Sequence, residues 1–171
     1  MLRRLRETGP VVLVPAAWTF AVLAHVGTLT TRTVLIAHVV MTALLVAFLV
    51  LSWAEMTEGV LRVWRTVIVV GVPVTLAGVA GLLIRPGGAP LLAIALVGWM
   101  VVPALALART APMLPSEASA RIATVGGGLS LLGAILYGAG WFLSSPTVTL
   151  VALGLVGVGQ TAGIADAVYR Y

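Results

Sequence analysis

Long apolar stretches separated by short polar segments dominate the pattern of this chain. Six of these stretches are about 20 residues long, the length with which a helix crosses a hydrocarbon layer roughly 30 Å thick. The sequence lacks the alternating short strands that form membrane β-barrels, and backbone polar groups in lipid must be satisfied within each segment. The pattern therefore predicts one all-α membrane domain, residues 1–171, a bundle of six transmembrane helices at about 10–29, 33–53, 64–84, 90–108, 122–143 and 147–169.

Short connections join the predicted helices, so we expect consecutive helices to be antiparallel neighbours. The arginines predict the orientation, because basic residues stay on the cytoplasmic side of short loops. One side of the bundle carries Arg32 and Arg85, and the other carries eight arginines: Arg3, Arg4, Arg6, Arg62, Arg65, Arg109, Arg121 and Arg170. Both termini are therefore predicted to lie on the cytoplasmic side of the cell membrane.

The composition excludes a water-soluble globule. Of the 171 residues 61% are hydrophobic and 9% are charged, whereas a soluble domain is typically about a quarter charged. The lipid bilayer is therefore the expected partner of most of the surface. The formal net charge of +5 comes from arginines at the ends of apolar runs, so nucleic acid is not an expected partner. The absence of cysteine excludes disulfides, thiolate metal sites and thiol catalysis.

Small residues spaced four apart predict where helices approach closely, because packing through small side chains is the main attraction between helices in lipid. Such grooves fit a helix of the same bundle, a second copy of the chain in a homodimer or another membrane subunit, and the pattern leaves these alternatives open. The residues are Gly159, Gly163 and Ala167 in the sixth predicted helix, Ala77 and Gly81 in the third, and Ala134 and Gly138 in the fifth.

Two tryptophans and two prolines interrupt the apolar interior. Trp18 and Trp99 fall near the middle of their predicted helices, where an indole N–H needs an acceptor. The sequence leaves two roles open for these tryptophans. Each either packs tightly and makes a local hydrogen bond or forms part of the wall of a buried pocket. Pro73 and Pro103 each remove one backbone hydrogen bond and tend to kink a helix, either as fixed elements of shape or as gates.

Polar side chains within hydrocarbon are the default functional candidates, because inserting them is costly. Gln160 is expected to hydrogen-bond across to another helix or to contact a substrate. Asp166 lies about one turn from the cytoplasmic end of the sixth predicted helix. It either pairs with Arg170, which lies on the same helical face, or binds a proton or cation.

His25 and His38 are the only histidines, and they lie equally far from the turn expected at residues 31–32. They are therefore predicted at one depth near the outer face, where two imidazoles can ligate a haem iron. Zinc and copper need three or four protein ligands, which the two histidines do not supply. Trp18, about two turns before His25, would then face the porphyrin, and Thr42, one turn after His38, would hydrogen-bond to a ligating histidine.

Geometry limits how the two histidines share a haem. Packed helices have axes about 8–10 Å apart, so a directly packed pair leaves no room for a porphyrin between its members. A shared haem b requires the first two helices to splay apart or to be separated by a third. Otherwise each histidine has a separate role, such as a contact to a quinone or a hydrogen bond in the turn.

Three functions fit this sequence. The first is a small redox or electron-transfer subunit that uses His25 and His38 near the outer face with haem b or a quinone. The second is a transporter or channel for a small solute or ion, with a path near Gln160 and Asp166. The third is a structural or assembly subunit that docks a partner membrane protein. Neither a Ser-His-Asp constellation at one depth nor an HExxH motif occurs, so a hydrolytic enzyme is not expected.

Overall fold

Six α-helices make up nearly the whole of the chain in the computed structural model, which describes residues 2–84 and 86–170, and of residues 2–8 and 170 only the backbone. Within this part there is no strand, and one 3-10 turn, Ala111–Met113, follows the fourth helix. The helices are α1 (Leu2–His25), α2 (Thr31–Ser52), α3 (Gly59–Leu83), α4 (Ala89–Thr110), α5 (Glu117–Phe142) and α6 (Pro146–Arg170).

Five of these helices, α2 to α6, are long and apolar enough to cross a membrane, and α1 adds an apolar segment at Gly9–His25. The prediction of an all-helical chain with several helices long and apolar enough to span a membrane is therefore confirmed for the described residues. Part of the orientation rests on Arg85 and on the side chains of Arg3, Arg4, Arg6 and Arg170, which lie outside the described part of the chain.

Helix α5 begins earlier than its hydropathy predicts, at Glu117 rather than near residue 122. Hydropathy marks the part of a helix that fits into hydrocarbon, whereas capping decides where the helical backbone begins. At the start of α5 the Ser116 side chain accepts a hydrogen bond from the Ser119 backbone N–H at 3.1 Å, which satisfies one of the unpaired donors of the first turn. Ser116 is therefore the helix cap.

The order in which the helices pack differs from their order along the chain. From α2 to α6 each helix packs against the next one, as expected. The expectation is wrong for the first pair, because α1 packs against α6 while α2 packs against α3. The physical reason lies in the core, where Trp18 of α1 is buried together with Met100 of α4 and with Leu153 and Val156 of α6. Burial of this indole attaches α1 to the far end of the chain.

A glycine seam on α5 brings this helix very close to α6. The seam consists of three glycines spaced seven residues apart: Gly126, Gly133 and Gly140. Gly126 lies directly against the backbone of Gly159, and a Cβ on Gly133 would lie 2.7 Å from the Ala152 carbonyl oxygen. Because no side chain separates the helices at these points, their backbones are in van der Waals contact, which is how helices adhere in lipid.

The small-residue grooves expected from the sequence are partly filled within the chain. Gly159 contacts α5, and both Gly81 and Gly163 contact α4. Gly138 differs, because a Cβ placed there would have no atom of a neighbouring helix within 4 Å. Helices of the same bundle thus occupy three of these positions. That a homodimer or a partner subunit packs against the others stays a prediction.

We expect Gly126→Ala to lower the free energy of unfolding by about 1–3 kcal/mol, because its new methyl group would overlap the Gly159 carbonyl oxygen. Gly128→Ala is the matched control on the same helix, since nothing lies within 4 Å of a Cβ there. This control should leave stability unchanged or raise it by up to about 1 kcal/mol, because alanine favours helix over glycine. Equilibrium unfolding in detergent micelles measures both, and equal effects would contradict the close approach.

Candidate functional site

Pro103 leaves one backbone carbonyl of α4 without its helical donor. In an α-helix the carbonyl of residue i accepts from the N–H of residue i+4, and proline has no N–H, so the Trp99 carbonyl loses this partner. The Gln160 side chain of α6 replaces it. Its Nε2 donates to the Trp99 carbonyl at 2.9 Å and to the Met100 carbonyl at 3.3 Å. Gln160 thereby satisfies a group that hydrocarbon would leave unpaired.

The oxygen of the same amide binds α1. Gln160 Oε1 accepts a hydrogen bond from the Trp18 indole N–H at 3.0 Å, and Gly157 leaves the space in which the Trp18 side chain lies. Both partners are buried, with 3% of Gln160 and 8% of Trp18 exposed. One amide therefore joins α1, α4 and α6, and the predicted hydrogen bond from Gln160 to another helix is confirmed.

Trp99 joins α4 to α3 in a similar way. Its indole N–H donates to Thr75 Oγ1 at 3.0 Å, and the Thr75 hydroxyl donates to the Gly71 carbonyl at 2.8 Å. Gly71 also makes room for the ring, because a Cβ there would lie 2.6 Å from it. Both central tryptophans thus have the acceptors that buried indoles need, and linked polar contacts run from α1 through α6 and α4 to α3.

The two residues predicted for a transport path lie in different surroundings. Gln160 shares the closed interior with Met100 and Val156, which have no accessible surface. Asp166 is half-buried nearer the end of α6, and the side chain of Arg170, its predicted partner, lies outside the described residues. Neither Gln160 nor Asp166 lines the two cavities described below.

His25 ends α1 and meets Tyr137 of α5. The imidazole Nδ1 lies 2.8 Å from the Ala21 carbonyl oxygen, and Nε2 lies 3.0 Å from the Tyr137 hydroxyl. A carbonyl only accepts, so Nδ1 carries a hydrogen, and in the neutral imidazole Nε2 then accepts from the Tyr137 hydroxyl. The two rings meet edge to face with centroids 5.6 Å apart. Ala21 therefore fixes the tautomer, and the tautomer fixes the direction of the hydrogen bond to Tyr137.

This pair lines a cavity of about 450 Å³ where α1 ends and α5 connects to α6. The cavity, termed here the Tyr137 pocket, carries hydroxyl groups and apolar side chains but no Asp, Glu, Arg or Lys. Its volume falls within the about 300–1,000 Å³ that is typical of small-molecule sites. The lining residues are His25, Val26, Tyr137, Gly140, Trp141, Ser144, Ser145, Pro146, Thr149 and Leu150.

Sequence reasoning identified His25 but missed Tyr137 and the three hydroxyl-bearing residues of this pocket. Tyr137 lies 112 positions from His25, so no spacing along the chain relates the two. One signal was available. The polar run Ser144–Ser145 before Pro146 falls in a predicted outer connection, at the same end of the bundle as His25.

His38 lies elsewhere, on the face of α2 that meets α3. Its Nδ1 donates to the Val34 carbonyl at 2.9 Å, and the ring edge lies against Gly78 of α3. Thr42 donates to the backbone carbonyl of His38 at 2.8 Å rather than to the imidazole. The structure therefore brings His25 to α5 and His38 to α3, and it places Trp18 at Gln160. Of the four residues predicted for a shared haem site, Trp18 and His25 therefore lie on α1 and His38 and Thr42 on α2, and the two histidines contact different helices.

Thr42 contributes instead to a second cavity, of about 540 Å³, between α2 and α3. The other lining residues are all apolar: Val39, Ala43, Val46, Ala47, Leu76 and Val79. Across the described residues, no group of three or more His, Cys, Asp or Glu side chains lies close enough to hold a metal ion. The Tyr137 pocket is therefore the better candidate for specific recognition, since it combines hydrogen-bonding groups with space.

We expect Gln160→Leu to lower the free energy of unfolding by about 2 kcal/mol, because it leaves the Trp18 N–H and the Trp99 carbonyl unpaired. The loss should shrink in a Pro103→Ala background, where the residue 103 N–H can donate to the Trp99 carbonyl. A double-mutant cycle of unfolding free energies measures this coupling. Ser130→Ala is the control, since the buried Ser130 hydroxyl bonds only within its own helix, to Gly126. If the effects of Gln160→Leu and Pro103→Ala were additive, this would contradict the role of Gln160 as the donor that replaces the missing residue 103 N–H at the Trp99 carbonyl.

No protein-family model matches this chain. No curated protein and no solved structure matches it either. A functional proposal for this protein therefore rests on the contacts of its described side chains, above all on those of the Tyr137 pocket.

Proposed function

We propose that all six helices span the cell membrane and that both termini lie in the cytoplasm. The arginines among the described residues support this orientation, because Arg62, Arg65, Arg109 and Arg121 flank one end of the bundle and Arg32 flanks the other. The guanidinium of Arg65 lies 4.6 Å from the ring centroid of Trp53, a pairing suited to a headgroup layer. With this orientation the Tyr137 pocket opens near the outer face.

Within this membrane protein we assign to the Tyr137 pocket the binding of a quinone head group, which makes the protein a small quinone-associated redox subunit. The observation that carries the proposal is the hydrogen-bonded His25–Tyr137 pair, which lines an open pocket at the ends of three helices. A quinone head group is neutral, planar and bears two oxygens. It therefore fits a lining that offers hydroxyls and an imidazole without formal charges.

The apolar part of the lining supports the same ligand class. Val26, Leu150 and the strongly exposed Trp141 lie beside the polar groups. A quinone carries an apolar isoprenoid tail that stays in lipid, so its ring must be recognised at a point where polar and apolar surfaces meet. The end of a membrane-spanning helix is such a point.

Haem b has less support than a quinone as the redox group. A haem shared by both histidines needs each imidazole to direct one nitrogen at a single iron. Nε2 of His25 already accepts from Tyr137, and His38 packs against Gly78 of a different helix. Ligation by His25 therefore requires the bond to Tyr137 to break first, and a shared haem further requires α2 to leave α3.

We expect the protein in lipid nanodiscs to bind at least one redox form of a short-chain benzoquinone saturably. The double variant His25→Leu/Tyr137→Phe should bind the preferred form about tenfold more weakly, because the ligand loses its deepest polar contact. The matched control His38→Leu/Thr124→Val removes one imidazole and one hydroxyl outside the pocket, and it should bind like the wild type. Isothermal titration calorimetry measures the affinities, with empty nanodiscs as the reference for partitioning into lipid.

Three outcomes would overturn this proposal. The first is heat that does not exceed that of empty nanodiscs, and the second is equal affinities of the wild type and the double variant. The third is a Soret band in the purified protein that disappears both in His25→Leu and in His38→Leu, which would establish the haem hypothesis in place of the quinone one.

The proposed topology is tested with single cysteines, which are unambiguous probes because the chain has none of its own. A membrane-impermeant maleimide should label Thr31→Cys in intact cells and Thr57→Cys only after the cells are permeabilised. An epitope tag at the N-terminus should likewise need permeabilisation for detection. Labelling of Thr57→Cys in intact cells would reverse the orientation, and an accessible N-terminal tag would remove α1 from the set of spanning helices.

A further inference from the structure

We propose that the Tyr137 pocket selects the reduced, hydroxyl-bearing form of its ligand, a quinol, over the corresponding quinone. This inference rests on the proposed quinone site and adds a preference for one redox state. It follows from the direction of the hydrogen bonds in the pocket, which decides whether each group offers a ligand a hydrogen or a lone pair.

The hydrogen of the Tyr137 hydroxyl is already engaged in a hydrogen bond to His25. The Nδ1–H of His25 is held by the Ala21 carbonyl, so Nε2 of the neutral imidazole has only a lone pair to offer, and the Tyr137 O–H donates to it at 3.0 Å. The phenolic oxygen therefore presents lone pairs to the pocket. A ligand group that reaches this oxygen forms a hydrogen bond only if it brings its own hydrogen.

The hydroxyl of Thr149 is committed in the same sense, because Thr149 Oγ1 donates to the Ser145 carbonyl at 3.1 Å. The side chain of Ser145 differs. Its Oγ accepts a long contact of 3.5 Å from the Val148 N–H and keeps its own hydrogen for a ligand. The pocket thus offers acceptors beside α5 and α6 and a donor at the connection between them.

A quinol matches the two groups Tyr137 and Ser145. Each of its hydroxyl groups both donates and accepts, so one hydroxyl can donate to Tyr137 while the oxygen of the other accepts from Ser145. The carbonyl oxygens of a quinone only accept. A quinone carbonyl at Tyr137 must therefore either remain unpaired or take the phenolic hydrogen, and the second choice leaves Nε2 of His25 without a partner.

The binding free energies of quinol and quinone should differ by one hydrogen bond, which the quinone loses inside a partly desolvated site. We expect the wild type to bind the quinol on the order of fivefold to tenfold more tightly than the quinone. His25 sets the sign of this preference without needing to touch the ligand, because it keeps the Tyr137 hydrogen out of the pocket.

The test compares both redox forms of one short-chain benzoquinone by isothermal titration calorimetry in nanodiscs, under anaerobic conditions with a reductant present for the quinol series. His25→Leu should abolish or invert the preference, because the Tyr137 hydroxyl becomes free to donate to a carbonyl. His25→Gln should keep the preference for the quinol, since the amide oxygen can accept from Tyr137 as Nε2 does. Thr124→Val, a hydroxyl change on α5 outside the pocket, should behave like the wild type.

The possible results separate this inference from the proposed function. A quinol preference in the wild type and in His25→Gln that vanishes in His25→Leu supports the inference. Equal affinities of the wild type for both forms, or an unchanged preference in His25→Leu, overturn it and leave the quinone site in place. Binding of neither form above empty nanodiscs overturns both. His25 is exposed at the end of α1, and thermal unfolding of each variant checks that its fold is retained.

Discussion

The Trp99 carbonyl that Pro103 deprives of its donor is the constraint on which the arrangement of this bundle depends. Hydrocarbon supplies no water to pair with such a group, so another helix must provide the hydrogen. Gln160 does so with one end of its amide and accepts the Trp18 indole N–H with the other. A single side chain thereby fixes the depth and the rotation of α1 relative to α4 and α6. A proline that looks like a defect in α4 thus specifies where a neighbouring helix binds.

The candidate site follows from the same constraint. His25 lies seven residues, or about two turns, after Trp18, so both side chains project from one face of α1. Once Trp18 is buried against Gly157 and Gln160, this face turns toward α5 and α6 and brings His25 to Tyr137. The glycine seam supplies the opposite wall. Gly140 lets Thr149 lie directly against α5, only three residues from Tyr137, which gathers the polar groups of two helices around one small pocket.

The hydrogen-bonding pattern of the pocket depends on the Ala21 carbonyl, although Ala21 is not among the residues that line it. This carbonyl holds the His25 proton on Nδ1, and the tautomer in turn makes Tyr137 a donor toward His25 and an acceptor toward the pocket. A chain of two hydrogen bonds therefore links a backbone carbonyl of α1 to the polarity of the cavity wall.

The sequence by itself determined the helical class, the membrane environment and several local requirements. These follow from constraints that act within a segment or on one group, namely the apolar length of each helix, the acceptors that Trp18 and Trp99 need, and the hydrogen bond that Gln160 must make to another helix. The tertiary structure alone decided which partners meet. The sequence predicted that α1 and α2 pack together, and it left open whether their histidines share a ligand or have separate roles. Instead Trp18 bonds to a residue 142 positions away and His25 to one 112 positions away. Such contacts are selected by the fit of Trp18 beside Gly157 and by the pairing of buried polar groups, and neither leaves a periodic trace along the chain.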